Sequence, residues 1–282
     1  MTPRAAETAP ASRVFRRASL GLLAAVAGMA CATATNYLDP DGPRYAGVKP
    51  EDCAAPPARS DTVRVVTFNI EYAKKVEQAV AALRSHADLR NPDVLNLQEM
   101  DAPSVERIAR ELGFNFVYYP GSLHPGTKRD VGNAILSPWP IEDDRKLLLP
   151  HPSRILRQRR AAVSARVVIA GRAVRVYSIH FGSPLGISGG SRRRQAEVVL
   201  NDARGQQGPV IHAGDFNSKG IGDVFEAAGY AWQTKRVGGT RGIFSFDHVF
   251  ARGFTPRAAG VARHVRASDH SPVWAILAWE SP

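Results

Sequence analysis

Gly214-Asp215-Phe216-Asn217-Ser218 closes the apolar run Pro209-Val-Ile-His-Ala-Gly214, and Ser268-Asp269-His270-Ser271-Pro272 opens another, Val273-Trp-Ala-Ile-Leu-Ala278. Short β-branched and aliphatic runs bounded by turn residues read as buried strands. Residues two apart on a strand share a face, so Asp215 and Asn217 project into one site if the strand continues. A carboxylate, an amide and an Asp-His pair gathered at two strand ends suit a hard cation and a phosphate.

The same arrangement recurs upstream. Val63-Arg-Val-Val-Thr-Phe-Asn69-Ile70 ends near Asn69, Asp93-Val-Leu-Asn-Leu-Gln98-Glu99 ends on Glu99, and Val174-Arg-Val-Tyr-Ser-Ile-His180 ends on His180. Five apolar strands therefore finish on, or start from, a side chain able to bind metal or move a proton. Strand bodies are committed to the core, so polar groups collected at their ends belong to a site.

In chain order the segments are Thr-Phe-Asn69-Ile, Leu-Gln-Glu99, Gly-Asn133-Ala-Ile-Leu-Ser, Ser-Ile-His180-Phe, Gly-Asp215-Phe-Asn217, Asp247-His-Val-Phe and Ser-Asp269-His270-Ser-Pro. This series resembles the endonuclease/exonuclease/phosphatase superfamily, which includes pancreatic deoxyribonuclease, abasic-site nucleases, neutral sphingomyelinases and inositol polyphosphate 5-phosphatases. The resemblance covers about Val63 to Trp279. Gly-Asp-Phe-Asn alone is a weak signal; all seven segments in order are a strong one.

The resemblance implies an α/β fold, a four-layer αββα sandwich of two mixed β-sheets flanked by helices. It implies a metal site of Asn69, Glu99 and Asp269, holding Mg²⁺ with Mn²⁺ as an alternative. Oxygen donors with open positions for water and phosphate suit such an ion. No Cys or His cluster has zinc spacing. Asp215 and Asn217 match the pair that aligns the attacking water and steadies the phosphate. His270 matches a base or phosphate-contacting imidazole, and Asp247 the acid that orients it, an arrangement that fixes a tautomer and raises basicity. His180 matches the second catalytic histidine of the deoxyribonuclease, sphingomyelinase and 5-phosphatase branches, whereas abasic-site nucleases carry asparagine there. Arg160 and Asn133 match substrate-side positions. The Trp-Cys-Asp-Arg signature of the 5-phosphatases is absent; Phe244-Ser-Phe-Asp247-His stands in its place.

Each of these residues has an ordinary alternative. A lone strand-end histidine is usually a satisfied core or surface group, Asn69 could cap a turn, and Asp247-His248 could be a surface dipeptide. The family order outweighs these single readings, and a binding module with a dead site is disfavoured because every expected position is filled.

The start of the chain addresses the compartment. Arg13, Arg16 and Arg17 form a basic region, Leu20–Gly28 is apolar but too short for a stable span, and Ala30-Cys31 resembles a bacterial lipoprotein cleavage site. Gly28 stands where Leu is usual in that motif. Residues 1–30 are expected to be a signal peptide, 31–61 a Pro-rich tether and 62–282 one catalytic domain, exported as a cell-envelope lipoprotein or to the periplasm or exterior. Cys53 is a leftover thiol if Cys31 carries lipid, and a Cys31–Cys53 disulfide arises if Cys31 is retained in an oxidising compartment. A monomer is expected.

Helices are expected at Lys75–Arg90, Pro103–Leu112, Ser191–Arg204 and Gly222–Ala228. The net charge of +11 falls to +8 once residues 1–30, with four arginines and one glutamate, are set aside. Much of it concentrates in Arg154–Arg160, Arg192–Arg194 and Lys235-Arg236. Solvated surface charge explains it as well as attraction to nucleic-acid phosphates or anionic lipid does. The first substrate expectation is a phosphodiester or phosphomonoester in lipid head groups or small organic phosphates. The alternative is an exported nuclease, which the absence of long duplex-gripping insertions disfavours.

Overall fold

Strand-forming runs dominate the chain, and the computed structural model sorts them into two stacked sheets. It describes residues 33–51, 53 and 61–280. The expected signal peptide at residues 1–30 and Cys31 lie outside these residues. No helix among them is long and apolar enough to cross a membrane.

The first sheet contains β1 (Thr35–Asn36), β2 (Tyr45–Gly47), β3 (Thr62–Asn69), β4 (Val94–Met100), β5 (Asn115–Leu123), β6 (Asp130–Ser137), β13 (Phe254–Val261) and β14 (Val273–Trp279). Its order is β1-β5-β6-β4-β3-β14-β13, with β2 also on β5. The second sheet runs β11 (Ala231–Trp232), β12 (Asp247–Arg252), β10 (Val210–Asp215), β9 (Arg172–His180), β8 (Ala161–Ile169), β7 (Ile141–Leu148). Both sheets are mixed, because β3 and β4 pair in parallel, as do β9 and β10, within otherwise antiparallel ladders.

Period-two alternation explains the stacking. Val63, Val65, Val94 and Ile135 of the first sheet meet Val174, Val176, Ile211, Ala213 and Val249 of the second in one apolar core. The opposite face of the first sheet, with Val66, Phe68, Leu95 and Leu97, packs under α1 (Val76–Ser85) and α2 (Ala102–Leu112). The opposite face of the second, with Tyr177, Ile179 and Phe250, packs under α3 (Gly189–Arg204) and α4 (Gly222–Ala227). The result is the expected helix–sheet–sheet–helix sandwich.

Local signals set the helix ends. Asp101 caps α2 by accepting from Ser104 N, Pro103 sits in its first turn, and Gly113 ends it at φ 66°. Ser188 caps α3. Arg192, in the first turn of α3 where the helix end is positive, is buried and donates from Nε to Gly182 O at 3.0 Å. α1 stops at Ser85, short of the expected Arg90, because the chain extends at His86 (ψ 126°).

The expected tether needs correction over residues 33–51. β1 pairs with Ser122 and Leu123, β2 pairs with Phe116, Val117 and Tyr118, and Ala34 N donates to Leu156 O at 2.8 Å. This stretch is part of the folded unit that begins at Ala34. Strands of two and three residues carry no readable periodicity; edge pairing with β5 creates them.

Candidate active site

The inner faces of the central strands are apolar until their last residues. On β3 the inward series Val63, Val65 continues to Thr67 and Asn69; on β9 Val174 and Val176 give way to Ser178 and His180; on β10 Ile211 and Ala213 give way to Asp215. Register then aligns the ends. Asp215 lies beside His180 on one neighbour and beside Asp247 on the other. Gly214 makes this close approach feasible, since a Cβ there would collide with the Ile179 carbonyl. His270 arrives from the loop before β14.

A cleft of about 240 Å³ opens over these ends. Glu99, Arg160, His180, Asp215, Asn217, Asp269 and His270 line it, joined by Glu71, Tyr72, Ser183 and Arg241. Seven of the ten expected site residues therefore share one wall system, and Asp247 and Asn69 support it from behind.

Asp215 is the hub. Its Oδ2 accepts from Asn69 Nδ2 at 3.0 Å and from Asn217 Nδ2 at 3.3 Å, and its Oδ1 accepts from Asn217 N at 2.8 Å. His180 Nε2 lies 3.5 Å and His270 Nε2 3.8 Å from that Oδ2. Asn217 reaches the hub by a different route from the one expected. The strand stops at Asp215, and a left-handed Asn217 (φ 52°) folds back, donating from Nδ2 to Phe181 O at 3.0 Å.

His270 Nδ1 donates to Asp247 Oδ2 at 2.8 Å, and Thr240 Oγ1 donates to the same oxygen at 2.6 Å. Thr240 Oγ1 in turn accepts from Phe246 N and Asp247 N at 3.1 and 3.2 Å. Thr240 was missed by sequence reasoning, and only its proximity to Asp247 hinted at it.

The three buried titratable groups differ in charge tendency. Burial and then the neighbouring Asp247 charge push the Asp215 carboxyl up to about 7. Burial alone would depress His270, but the charges of Asp247 and Asp215 and the hydrogen bond to Asp247 carry it up to about 10. Burial, then the cations Arg160, His270 and Arg241, hold His180 well below the usual imidazole range. At neutral pH the site thus sets an imidazolium and a neutral imidazole around a carboxyl poised to exchange its proton.

Glu99 reaches the cleft through backbone irregularity. Gln98 takes the inward position on β4, where it accepts from Thr67 Oγ1 and donates to Ser178 Oγ, both at 3.2 Å. Simple alternation would send Glu99 to the helix side. The β4–β6 ladder is irregular between Leu97 and Met100, and Glu99 adopts φ 57°, which brings it onto the cleft wall. The following turn, Glu71–Ala73 after β3, also has positive φ at all three residues (38°, 55° and 52°) and supplies Glu71 and Tyr72 to the rim.

Two expectations are revised. Asn133 does not line the cleft: its amide donates to Ala161 O at 2.8 Å and Ser178 O at 3.3 Å, tying the two sheets together behind it. Asn69 turns its nitrogen to Asp215 and its Oδ1 to Glu71 N at 3.1 Å, leaving only its remaining lone pair for an ion. Asp269 sits at the rim in a 2.5 Å ion pair with Arg241.

The donor set fits a hard divalent cation. Oxygen ligands are plentiful and no thiolate is near, which favours Mg²⁺ or Mn²⁺ over zinc. Glu99 Oε1 faces Arg160 Nη2 at 3.7 Å and His180 Nε2 at 3.8 Å, both beyond hydrogen-bond range. The tightest carboxylate–imidazole cluster among the described residues is instead Asp215, Asp247 and His270, with ligand atoms within 4.8 Å. There, however, Asp247 Oδ2 and His270 Nδ1 already satisfy each other. Glu99 is the freer anchor.

With this geometry in place, residues 66–270 match the Endonuclease/Exonuclease/phosphatase family. The chain belongs to that family of phosphoesterases and nucleases. It is similar in fold to an endonuclease/exonuclease/phosphatase from Beutenbergia cavernae, with 22% identity over 78% of this chain and 72% of that one and a TM-score of 0.62. A Bacteroides vulgatus endonuclease/exonuclease/phosphatase gives 16% identity, 78% and 99% coverage and a TM-score of 0.64. D. rerio TDP2 complexed with a single-strand DNA product gives 17% identity, 77% and 98% coverage and a TM-score of 0.59. No curated protein matches the sequence significantly.

Proposed function

We propose that the chain is a divalent-metal-dependent phosphodiesterase or phosphatase acting at the cell envelope on phosphate esters of lipid head groups or small organic molecules. One observation carries the reaction chemistry: Asp215, its proton affinity raised towards neutrality, stands between an imidazolium and a neutral imidazole in a single cleft.

In this reading Asp215 is the base. Water held by Asp215 Oδ2 and Asn217 gives up its proton as its oxygen bonds to phosphorus and the ester P–O bond breaks. A base with a proton affinity near the working pH is suited to this, which His270 is not. His270, kept protonated by Asp247, neutralises charge on the phosphoryl oxygens, and Arg160, which lines the same cleft, contacts the phosphate. His180, neutral and 3.5 Å from Asp215, offers a hydrogen bond to a phosphoryl or leaving oxygen. Glu99, with Asp269 and the remaining lone pair of Asn69, would hold a Mg²⁺ or Mn²⁺ ion, which supplies polarisation of the phosphoryl group. The lipoprotein-like start of the chain supports export and a membrane tether.

The arginines on the cleft wall and the excess positive charge support a second reading, an exported nuclease. A panel with Mg²⁺ separates the two: sphingomyelin and phosphatidylinositol vesicles, bis(p-nitrophenyl) phosphate, plasmid DNA and RNA. Cleavage of DNA or RNA alone would overturn the first reading; chelation that leaves hydrolysis unchanged would overturn both.

A further inference from the structure

Six large apolar side chains stand exposed among the described residues, and four of them belong to three loops that adjoin the cleft lining. Scattered exposed aliphatics are ordinary, but a cluster around one opening is not. Ile155 (66% exposed) and Leu185 (85%) adjoin the Arg160 and Ser183 part of the lining, and Ile243 (88%) and Phe244 (57%) follow Arg241, which also lines it. Ile155 lines a groove that shares Tyr72, Arg160 and Ser183 with the cleft. Leu185 tips the turn that begins at Ser183, and Arg154 N joins that turn to the Ile155 loop by donating to Gly186 O at 2.9 Å.

These tips are held rather than loose. Gly182 N donates to Gln195 Oε1 at 2.9 Å, and buried Arg192 donates to Gly182 O, so α3 clamps the base of the Leu185 turn. Arg241, itself part of the lining, pairs with Phe244 by two 3.0 Å backbone hydrogen bonds around Gly242-Ile243, with Gly242 at φ 56°. Ser271 N anchors this hairpin by donating to Thr240 O at 2.8 Å, next to His270. The Phe244 ring stacks on Phe246, centroids 5.3 Å apart.

Arginines flank the apolar tips. Arg154 and Arg157 line a second small groove beside His151, which also lines the groove under Ile155. Apolar tips with guanidinium groups around them match the boundary between acyl chains and anionic head groups. Single-stranded nucleic acid calls for aromatic platforms on which bases stack, and three of these four side chains are aliphatic.

We infer that these three loops form an interfacial docking surface that seats the cleft on a bilayer rich in anionic phospholipid. Leu185, Ile243, Ile155 and Phe244 enter the acyl boundary while Arg154 and Arg157 meet head-group phosphates. The inference deepens the proposed activity on lipid phosphate esters and rests on it for its biological use, but the docking itself has its own readout.

The test uses the full chain carrying Ile243→Trp, mixed with phosphatidylglycerol vesicles whose acyl chains are brominated. Bromine quenches an indole only at close range, so an amino-terminal anchor cannot produce the signal at position 243. Expected is a blue shift and quenching beyond that of the native tryptophans, weaker on phosphatidylcholine and reduced by Arg154→Glu. In parallel, Leu185→Ser/Ile243→Ser should lower turnover of vesicle phospholipid at least about tenfold, as expected from removing two buried aliphatic side chains. Its turnover of soluble bis(p-nitrophenyl) phosphate should stay unchanged. Absence of quenching while vesicle phospholipid is still hydrolysed overturns the docking surface and leaves the hydrolase reading intact. Quenching without hydrolysis of any phosphate ester overturns that reading and upholds docking. Duplex DNA binding abolished by Arg154→Glu, or self-association abolished by Leu185→Ser/Ile243→Ser, each without quenching, assigns the surface to another partner and overturns the inference.

Discussion

Two pairs of buried histidines lie on opposite sides of the second sheet, His270 reaching the inner side from the loop before β14, and they differ in charge. His270 and His180 face the inner cleft, whereas His212 and His248 point outward into the aromatic layer beneath α3 and α4. His212 is packed between Tyr177 and Tyr230, each with ring centroids at 4.5 Å, and neither of its ring nitrogens has a hydrogen-bond partner. Burial, with a small push from Arg252, depresses it to about 3. Burial also leads the causes at His248, which falls to about 4 despite the nearby Asp247. His270 is nearly as enclosed, yet rises to about 10. Burial removes the charge of an imidazole unless a carboxylate is buried beside it and hydrogen-bonded to it. His180 lies between the cases: Asp215 is 3.5 Å away, but cations face it and it stays neutral.

Asp215→Asn gives the sharpest break. It keeps the shape of the hub and removes its proton acceptor, so turnover of bis(p-nitrophenyl) phosphate should fall about 10³-fold or more. Because burial already disfavours the Asp215 charge, the variant should melt no lower than wild type. Retained turnover would remove Asp215 from the role of base.

Asp247→Asn turns His270 towards the behaviour of His212. Turnover should drop about 10²-fold, and the alkaline limb of the pH–rate profile should move to lower pH as the imidazolium loses its partner. An unmoved limb with normal activity would show that His270 does not need its charge.

The outward pair should weaken the fold in acid. Unfolded His212 binds a proton near pH 6.5, whereas the folded residue resists protonation down to about 3. Its full contribution is therefore present above pH 6.5 and is lost as pH falls towards 3, at about 1.4 kcal/mol per pH unit. His248 acts in the same sense between 6.5 and about 4. His212→Phe leaves no unpaired nitrogen and should gain about 2–3 kcal/mol over wild type at pH 4.5 relative to pH 7 in urea unfolding. Parallel pH curves for the two proteins would contradict this assignment.

The smallest effect expected is on metal demand. Glu99→Gln keeps a hydrogen-bonding group on the wall but removes a charge, so half-maximal activity should need about tenfold more Mg²⁺ or Mn²⁺. An unchanged titration would shift the ion towards the Asp215, Asp247 and His270 cluster.

Much of this was readable before the fold was known. The apolar strands and all four helices follow from hydrophobic period and flanking turn residues, and they form where expected within a few residues, α1 excepted. The polar strand ends of β3, β9 and β10 were equally legible, because an inward apolar series that turns to Asn69, His180 or Asp215 has left the core. Less legible were positions set by backbone exceptions. Glu99 and Gln98 are neighbours that alternation would place on opposite faces, and only a left-handed φ and a ladder irregularity bring Glu99 to the cleft. Asn217 reached the predicted place by a turn rather than by strand continuation.

The amino-acid sequence by itself determined five apolar strands, the order of their polar ends and the chemistry available there, because side-chain period and residue type are local properties; the two-sheet sandwich was implied only by the family resemblance that this order carries. Tertiary structure decided which ends meet, that Asn133 braces the sheets, that residues 33–51 add strands, and which buried histidines keep a charge. Those outcomes depend on cross-strand register and on the distance between a charge and its partner, and neither is written in any single segment.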